Sequence, residues 1–234
     1  MPLVALHSVS KTYLDGESAP VIALQVSDLR IKRGEFVCLA GPSGSGKTTL
    51  LNIIGCIDRP STGRVLIEGR DTAELRRGQL AGLRRTAFGF VFQSFNLIPV
   101  LSAYENVEYV LLLQGVPPAA RRQRVGEALA RVGLDRLMHK RPGQLSGGQQ
   151  QRVAAARAIV GRPLLVLADE PTANLDSQTG AELLDVFFAL QQQYQTTFVF
   201  SSHDPAIIRR ARRVLAMRDG RIVSDGSAGG QAGP

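Results

Sequence analysis

Gly41-Pro42-Ser43-Gly44-Ser45-Gly46-Lys47-Thr48 follows the apolar run Phe36-Val37-Cys38-Leu39-Ala40 and precedes Thr49-Leu50-Leu51-Asn52-Ile53-Ile54. The stretch fits G-x-x-x-x-G-K-[ST], a loop whose backbone N–H groups cradle phosphates. The run before it, bounded by Gly34 and Gly41, reads as a buried strand, and the segment after it runs unbroken to Gly55 as a helix would. Strand, glycine-rich turn and helix is the setting the pattern needs. Converging N–H groups and the positive end of a helix suit a polyphosphate. Gly44 and Gly46 allow close backbone approach and positive φ. Lys47 is placed for the β- and γ-phosphates and Thr48 for Mg²⁺.

Working outward, bulk properties bound the rest. The chain has 234 residues, 44% of them hydrophobic, enough for one large domain or a core with a subdomain. It contains no apolar run of about eighteen residues, so no membrane-spanning helix is expected. Met1–His7 lacks a basic segment followed by a long apolar one, so no signal peptide is expected and the cytoplasm is the expected compartment. Cys38 and Cys56, the two cysteines, lie in apolar surroundings and read as buried free thiols rather than a disulfide or metal site. Net charge is +8, and apart from Lys11, Lys32, Lys47 and Lys140 the 28 basic residues are arginines. Such a surface suits nucleic acid or an anionic membrane leaflet. The arginines are dispersed and not interleaved with aromatic stacking platforms, which favours solvated faces over a nucleic-acid site.

Residues 3–9 and 21–31 read as strands, with turn chemistry at Asp15–Pro20 between them. Tyr13, just before that turn, could stack on a base or cover a sheet edge, and its position alone favours the edge. Val65–Ile67 reads as a strand, 73–85 as a helix, and Phe88–Phe92 as a strand followed by Gln93. Residues 94–150 change character, with helices over about 102–114, 119–132 and 147–160 separated by Pro99, Pro117-Pro118 and Pro142-Gly143. This predicts a helical insertion in an α/β domain. Ser146 is a plausible N-cap for the last of these helices. Gly147-Gly148 is a poor choice for helix stability alone and leaves N–H groups open to an anion.

Leu164–Ala168 and Thr196–Phe200 read as strands covered on both faces. The first is followed by Asp169-Glu170, the second by Ser201-Ser202-His203. Three buried strands thus deliver polar chemistry at their carboxyl ends, where open parallel sheets bind ligands. Asp169 fits an acidic Mg²⁺ holder, Glu170 a general base for water, and His203 a γ-phosphate contact or water orienter. Acidic residues after a strand also cap helices, and a single histidine is commonly structural. Beside a phosphate loop, catalysis is the better reading for Glu170. Residues 177–193 read as an amphipathic helix, 213–217 and 221–224 as a closing hairpin, and Gly226–Pro234 as a disordered tail.

With these motifs placed, the chain over about 2–225 resembles an ATP-binding-cassette (ABC) ATPase. Gly41–Thr48 matches the Walker A loop, Gln93 the Q-loop glutamine, and Leu145-Ser146-Gly147-Gly148-Gln149 the ABC signature. Leu164–Asp169 matches Walker B with Glu170 as catalytic glutamate, Asn174-Leu175-Asp176 the D-loop, and His203 the switch histidine. The signature is absent from other P-loop classes. The resemblance implies an α/β P-loop NTPase core with a mainly parallel sheet, an N-terminal antiparallel β subdomain and a helical subdomain at about 94–160. It implies ATP and Mg²⁺ as cofactors, with catalytic roles for Lys47, Glu170 and His203. Tyr13, Gly41, Pro42, Ser43, Gly44, Ser45, Gly46, Lys47, Thr48, Thr49, Gln93, Ser146, Gly147, Gly148 and Gln149 become nucleotide contacts, and Thr48, Gln93 and Asp169 Mg²⁺ ligands. Tyr13 is thereby the aromatic that stacks on adenine.

The family further implies a head-to-tail homodimer with ATP between the Walker A loop of one copy and the signature of the other. It implies two copies of an integral membrane permease subunit, a peripheral place for this chain at the cytoplasmic face of the inner membrane, and no stable nucleic-acid binding. Leu51–Asp58, Phe88–Pro99 and Leu145–Arg152 resemble the branch of lipoprotein-releasing, macrolide-export and cell-division ATPases. The branch implies permeases of four spans with a large extracytoplasmic domain. A cell-division-type regulator is the alternative, and a soluble nucleic-acid-linked ABC ATPase a remoter one. Departures are small: Thr48 where serine is commoner, which keeps the hydroxyl, and Asn174 where small residues are frequent.

Overall fold

The computed structural model describes residues 1–14 and 20–226, so most of the Asp15–Pro20 turn and the tail beyond Gly226 lie outside the described residues. The chain divides into two compact units, Met1–Gly82 with Thr197–Pro234, and Leu83–Thr196.

The first unit carries two sheets. In one, β1 (Val4–Tyr13) pairs antiparallel with β2 (Val21–Ile31) on one side and β4 (Thr62–Ile67) on the other, and β5 (Arg70–Asp71) extends β4. This is the expected antiparallel β layer. Its buried faces come from the alternation of Leu24, Val26, Leu29 and Ile31 with exposed neighbours along β2.

In the other, β3 (Phe36–Ala40) is central, parallel to both β8 (Thr197–Ser202) and β9 (Arg213–Arg218). The hairpin strand β10 (Arg221–Gly226) closes the edge of β9. Every residue of β3 and β8 is buried, as continuous apolar runs require. Phe36 anchors the pair, its ring centroid 5.6 Å from that of Phe198 and 5.0 Å from that of Phe200. The β8 strand runs two residues further than its apolar core suggests, because Ser201 and Ser202 pair with Leu39 and Ala40 and are buried. Helix α1 (Lys47–Ile54) follows the glycine-rich turn and buries Leu50, Leu51, Ile53 and Ile54.

The expected helix over 73–85 is two elements. Asp71 accepts from the Ala73 N–H and caps a single 3₁₀ turn, Thr72–Glu74. Gln79 then accepts from the Arg76 N–H, and α2 (Arg77–Ala87) starts afresh. A cap at each start, rather than the arginine- and leucine-rich pattern, sets these boundaries.

In the second unit β6 (Phe88–Val91) and β7 (Leu165–Ala168) are parallel, with Val91 opposite Ala168. Helices α3 (Ala103–Leu113), α4 (Pro118–Arg131), α5 (Gly147–Ile159) and α6 (Ser177–Tyr194) lie close to their sequence-predicted ranges. Helix α3 begins with a capping box, Ser102 accepting from the Glu105 N–H while Glu105 accepts from the Ser102 N–H. Gly89 lets α5 approach β6: a Cβ there would fall 2.1 Å from the Ala158 carbonyl oxygen. A short helix α7 (Pro205–Ile208) follows β8 in the first unit.

Candidate functional site

The parallel register sets which residues meet. In the first unit β3 and β8 are aligned from Phe36 with Phe198 to Ala40 with Ser202. The phosphate loop and His203 therefore leave adjacent strands at the same end. His203 is exposed there, and Asp204 is held by its N–H donating to the Ser202 hydroxyl at 3.1 Å. In the second unit β6 and β7 do the same for Gln93 and Asp169-Glu170, and the Asp169 N–H extends the pairing by donating to the Val91 carbonyl at 2.9 Å.

The loop itself is built for an anion. Gly46 is the N-cap of α1 at φ 96°, with no side chain capping the helix and no acidic residue in its first turn. Its own first turn therefore brings no carboxylate to compete for the leading N–H groups. Gly44 sits at φ 78° with open space where a side chain would be. Gly41 is needed for another reason: a Cβ would fall 2.3 Å from the Met217 carbonyl oxygen, so the loop is pressed against β9. Lys47 is 5% exposed and its ammonium donates to the Gly41 and Pro42 carbonyls at 2.8 and 2.9 Å. The charge is thus held across the mouth of the loop. The Cys38 thiol beneath it is buried and pushed up to about 12 by that burial, against the pull of Lys47, so it stays protonated and inert.

Tyr13 ends β1, and its hydroxyl donates to Asp58 at 2.9 Å. That bond tethers the side chain to the loop after α1, with the ring partly exposed.

In the second unit the residues form a connected set. The Asn174 amide donates to the Gln93 carbonyl at 3.0 Å, leaving the Gln93 side chain exposed. The fully buried Gln151 donates to the Pro171 carbonyl at 2.8 Å and the Phe92 carbonyl at 3.4 Å, tying the ends of β6 and β7 together. Glu170 lies at φ 42°, a left-handed conformation uncommon for a residue with a side chain and one that collects at functional sites. Phe95 and Asn96 are also left-handed, their carbonyls held by the Arg157 guanidinium.

Ser146 is the N-cap of α5 as expected, and Gln149 completes a capping box with it at 3.0 and 3.3 Å. Gly148 faces Thr179, where a Cβ would come within 2.6 Å of a methyl group, whereas at Gly147 nothing is nearer than 3.7 Å. Packing therefore explains Gly148 and leaves Gly147 without a steric reason inside the chain.

Among the described residues no group of three or more His, Cys, Asp and Glu could hold a metal by itself. The hydroxyl, amide and carboxylate oxygens of Thr48, Gln93 and Asp169 are hard donors that suit Mg²⁺, which enters on phosphates and demands few protein ligands. No described helix is long and apolar enough to cross a membrane.

The family model described as ABC transporter matches residues 24–173. The chain belongs to the ABC transporter family. It is 43% identical, with a TM-score of 0.89, to the dimeric structure of a bacterial ABC transporter cassette, covering 97% of this chain and 100% of that one. It is 44% identical, at the same TM-score, to an ATP-binding cassette in a dimeric post-hydrolysis state bound to ADP and Pi. Among curated ABC proteins, it is 48% identical over 99% of its length to a macrolide export ATP-binding/permease protein, MacB 1/2, of Paracoccus denitrificans. It is 47% identical over 96% to a pyoverdine export ATP-binding/permease protein, PvdT, of Pseudomonas fluorescens. The chain spans 34% of the length of each of these curated relatives. The match to the solved cassettes bears out the fold class read from the sequence, and the likeness to the export proteins bears out the macrolide-export branch of the resemblance.

Proposed function

We propose that the chain binds and hydrolyses ATP as the cassette of an export-type ABC transporter and passes the closing and opening of a homodimer to a membrane permease. The observation that carries this is the phosphate loop: a helix N-terminus with no side-chain cap, an open Gly44 and a buried Lys47 whose ammonium donates to the loop's own Gly41 and Pro42 carbonyls. The post-hydrolysis cassette with ADP and Pi supports the nucleotide assignment.

The Gly41–Thr48 N–H groups and Lys47 bind the β- and γ-phosphates, and Thr49 and Tyr13 support the nucleoside end. Thr48, Gln93 and Asp169 would hold Mg²⁺, which would supply positive charge to offset that of the phosphates. Glu170 takes a proton from a water that attacks the γ-phosphorus, the bond to the β,γ-bridging oxygen breaks, and ADP and phosphate leave. His203 orients the water or contacts the γ-phosphate. Ser146, Gly147, Gly148 and Gln149 of a second copy offer the N-terminus of α5 to the γ-phosphate. Residues 2–225 form the ABC domain, with the helical subdomain at about 94–160 meeting the permease. Two copies of an integral membrane permease per cassette dimer, the dimer peripheral at the cytoplasmic face of the inner membrane, complete the assembly.

The dimer is tested by mass in solution with Glu170→Gln, which holds ATP without turnover. The mass doubles with Mg-ATP and not with Mg-ADP. Gly147→Ala, which meets no clash inside the chain, folds and binds ATP yet stays single. A single mass at saturating ATP contradicts the dimer, and a doubled mass for Gly147→Ala removes that residue from the interface.

A further inference from the structure

We propose that Asp58 is a positioning residue for the nucleotide base: its carboxylate fixes the Tyr13 ring, so the preference of the site for a nucleoside phosphate over a bare polyphosphate depends on it. The proposal rests on the reading of Tyr13 as the base-stacking residue.

Tyr13 is the last residue of β1, paired with Val21 of β2, whereas the register with β4 ends at Ser10 opposite Thr62. An aromatic at a strand end, 40% exposed, has side-chain freedom that a stacked base would have to freeze. Asp58 removes that freedom in advance. One carboxylate oxygen accepts from the Tyr13 hydroxyl at 2.9 Å. The other accepts from the Lys11 ammonium and from the Arg59 N–H, each at 2.7 Å. Lys11 lies two residues before Tyr13, hence on the same face of the strand. Its ammonium sits over the Tyr13 ring, 4.9 Å from the centroid, and donates also to the Arg59 carbonyl at 2.9 Å. One ring face is thus backed by a cation that Asp58 holds in place.

The carboxylate is suited to this work. Burial pushes Asp58 up, but hydrogen bonds from Lys11, Tyr13 and the Arg59 N–H outweigh it and hold the group below the usual carboxylate range, so it is charged at neutral pH. The surrounding loop is stapled to β1. The Thr12 N–H donates to the Ser61 hydroxyl at 3.0 Å, the Ser61 N–H to the Ser10 carbonyl at 2.8 Å, and the Ser10 and Thr62 hydroxyls are 2.7 Å apart.

The position matters because of what joins Asp58 to the phosphates. Helix α1 begins at Lys47 and the chain reaches Asp58 after one turn of loop, Ile57 and Asp58 both donating to the Asn52 carbonyl. A rigid helix of about 12 Å thus sets the spacing between phosphate loop and base platform. The tether makes the base contribution preorganised rather than acquired on binding.

The test compares Mg-ADP with Mg-pyrophosphate by titration calorimetry, so that base and phosphate contributions separate without turnover. Wild type binds ADP more tightly than pyrophosphate, and Tyr13→Ala removes that advantage. Asp58→Ala reduces it about fivefold, the effect of one charge-assisted hydrogen bond at a partly exposed site, and leaves pyrophosphate affinity at the wild-type value. Asp58→Asn, which keeps an acceptor oxygen, restores part of the loss. In a Tyr13→Phe background, where the hydroxyl is gone, Asp58→Ala costs much less. Equal losses for ADP and pyrophosphate would reduce Asp58 to a loop brace and overturn the proposal, as would no loss for either. If Tyr13→Ala leaves the ADP advantage intact, the reading of Tyr13 itself fails and the proposal falls with it.

Discussion

Glu170→Gln is expected to lower ATP turnover by about 10²- to 10⁴-fold, the contribution of a positioned general base, while ATP affinity stays near that of the wild-type chain. The argument is positional. Glu170 follows the buried strand β7, one residue after the Asp169 N–H completes its pairing with Val91. Its backbone is left-handed at φ 42°, and Ala173 donates to its carbonyl at 3.2 Å, so the turn that aims the side chain is fixed by the chain itself. Glutamine keeps the size and hydrogen-bonding reach of the side chain but cannot accept a proton from water. Binding draws on the phosphate loop in the other unit and is untouched. Phosphate release measured under saturating Mg-ATP, beside a nucleotide titration, reads both halves. Wild-type turnover in the variant removes Glu170 from the role.

Lys47→Ala is expected to act on the other quantity. Two charge-assisted hydrogen bonds to phosphate oxygens, made by a side chain with little exposed surface, are together worth about 3 kcal/mol, or roughly a hundredfold in affinity. The ammonium also holds the Gly41 and Pro42 carbonyls at 2.8 and 2.9 Å, so its removal leaves the loop without its own brace. ADP affinity falls by that factor in calorimetry, and turnover falls with it. Undiminished affinity would contradict the phosphate-loop assignment. The two variants together separate binding from chemistry: one binds and does not cleave, the other fails at binding.

The parts legible in the sequence are those whose cause is local. A buried strand announces itself by an apolar run, and Phe36–Ala40 and Leu165–Ala168 lie where such runs predict. The loop pattern carries its own spacing, and Ser146 before Gly147 marks a helix start because capping acts over three residues. What the sequence does not carry is contact between distant segments. Asp58 is 45 residues from Tyr13, and no periodicity joins them. Asn174 lies 81 residues from the Gln93 carbonyl it holds, and Gln151 59 from that of Phe92. Gly41 looks like one more flexible glycine until β9 is seen pressed against it. The 73–85 segment shows the same limit on a smaller scale: its arginines and leucines suit one helix, but the Asp71 cap starts a separate 3₁₀ turn first. Motif matching named Tyr13, Gln93 and Asn174; the side-chain bonds that hold them had to be read from the fold.

The most direct test of the whole account is to recover the Glu170→Gln chain from detergent-solubilised membranes with Mg-ATP present and identify what comes with it by mass spectrometry. The account predicts a permease with four predicted spans and a large extracytoplasmic domain, retained with ATP and lost without it. Recovery of the cassette alone, or with nucleic acid that salt displaces, would contradict it.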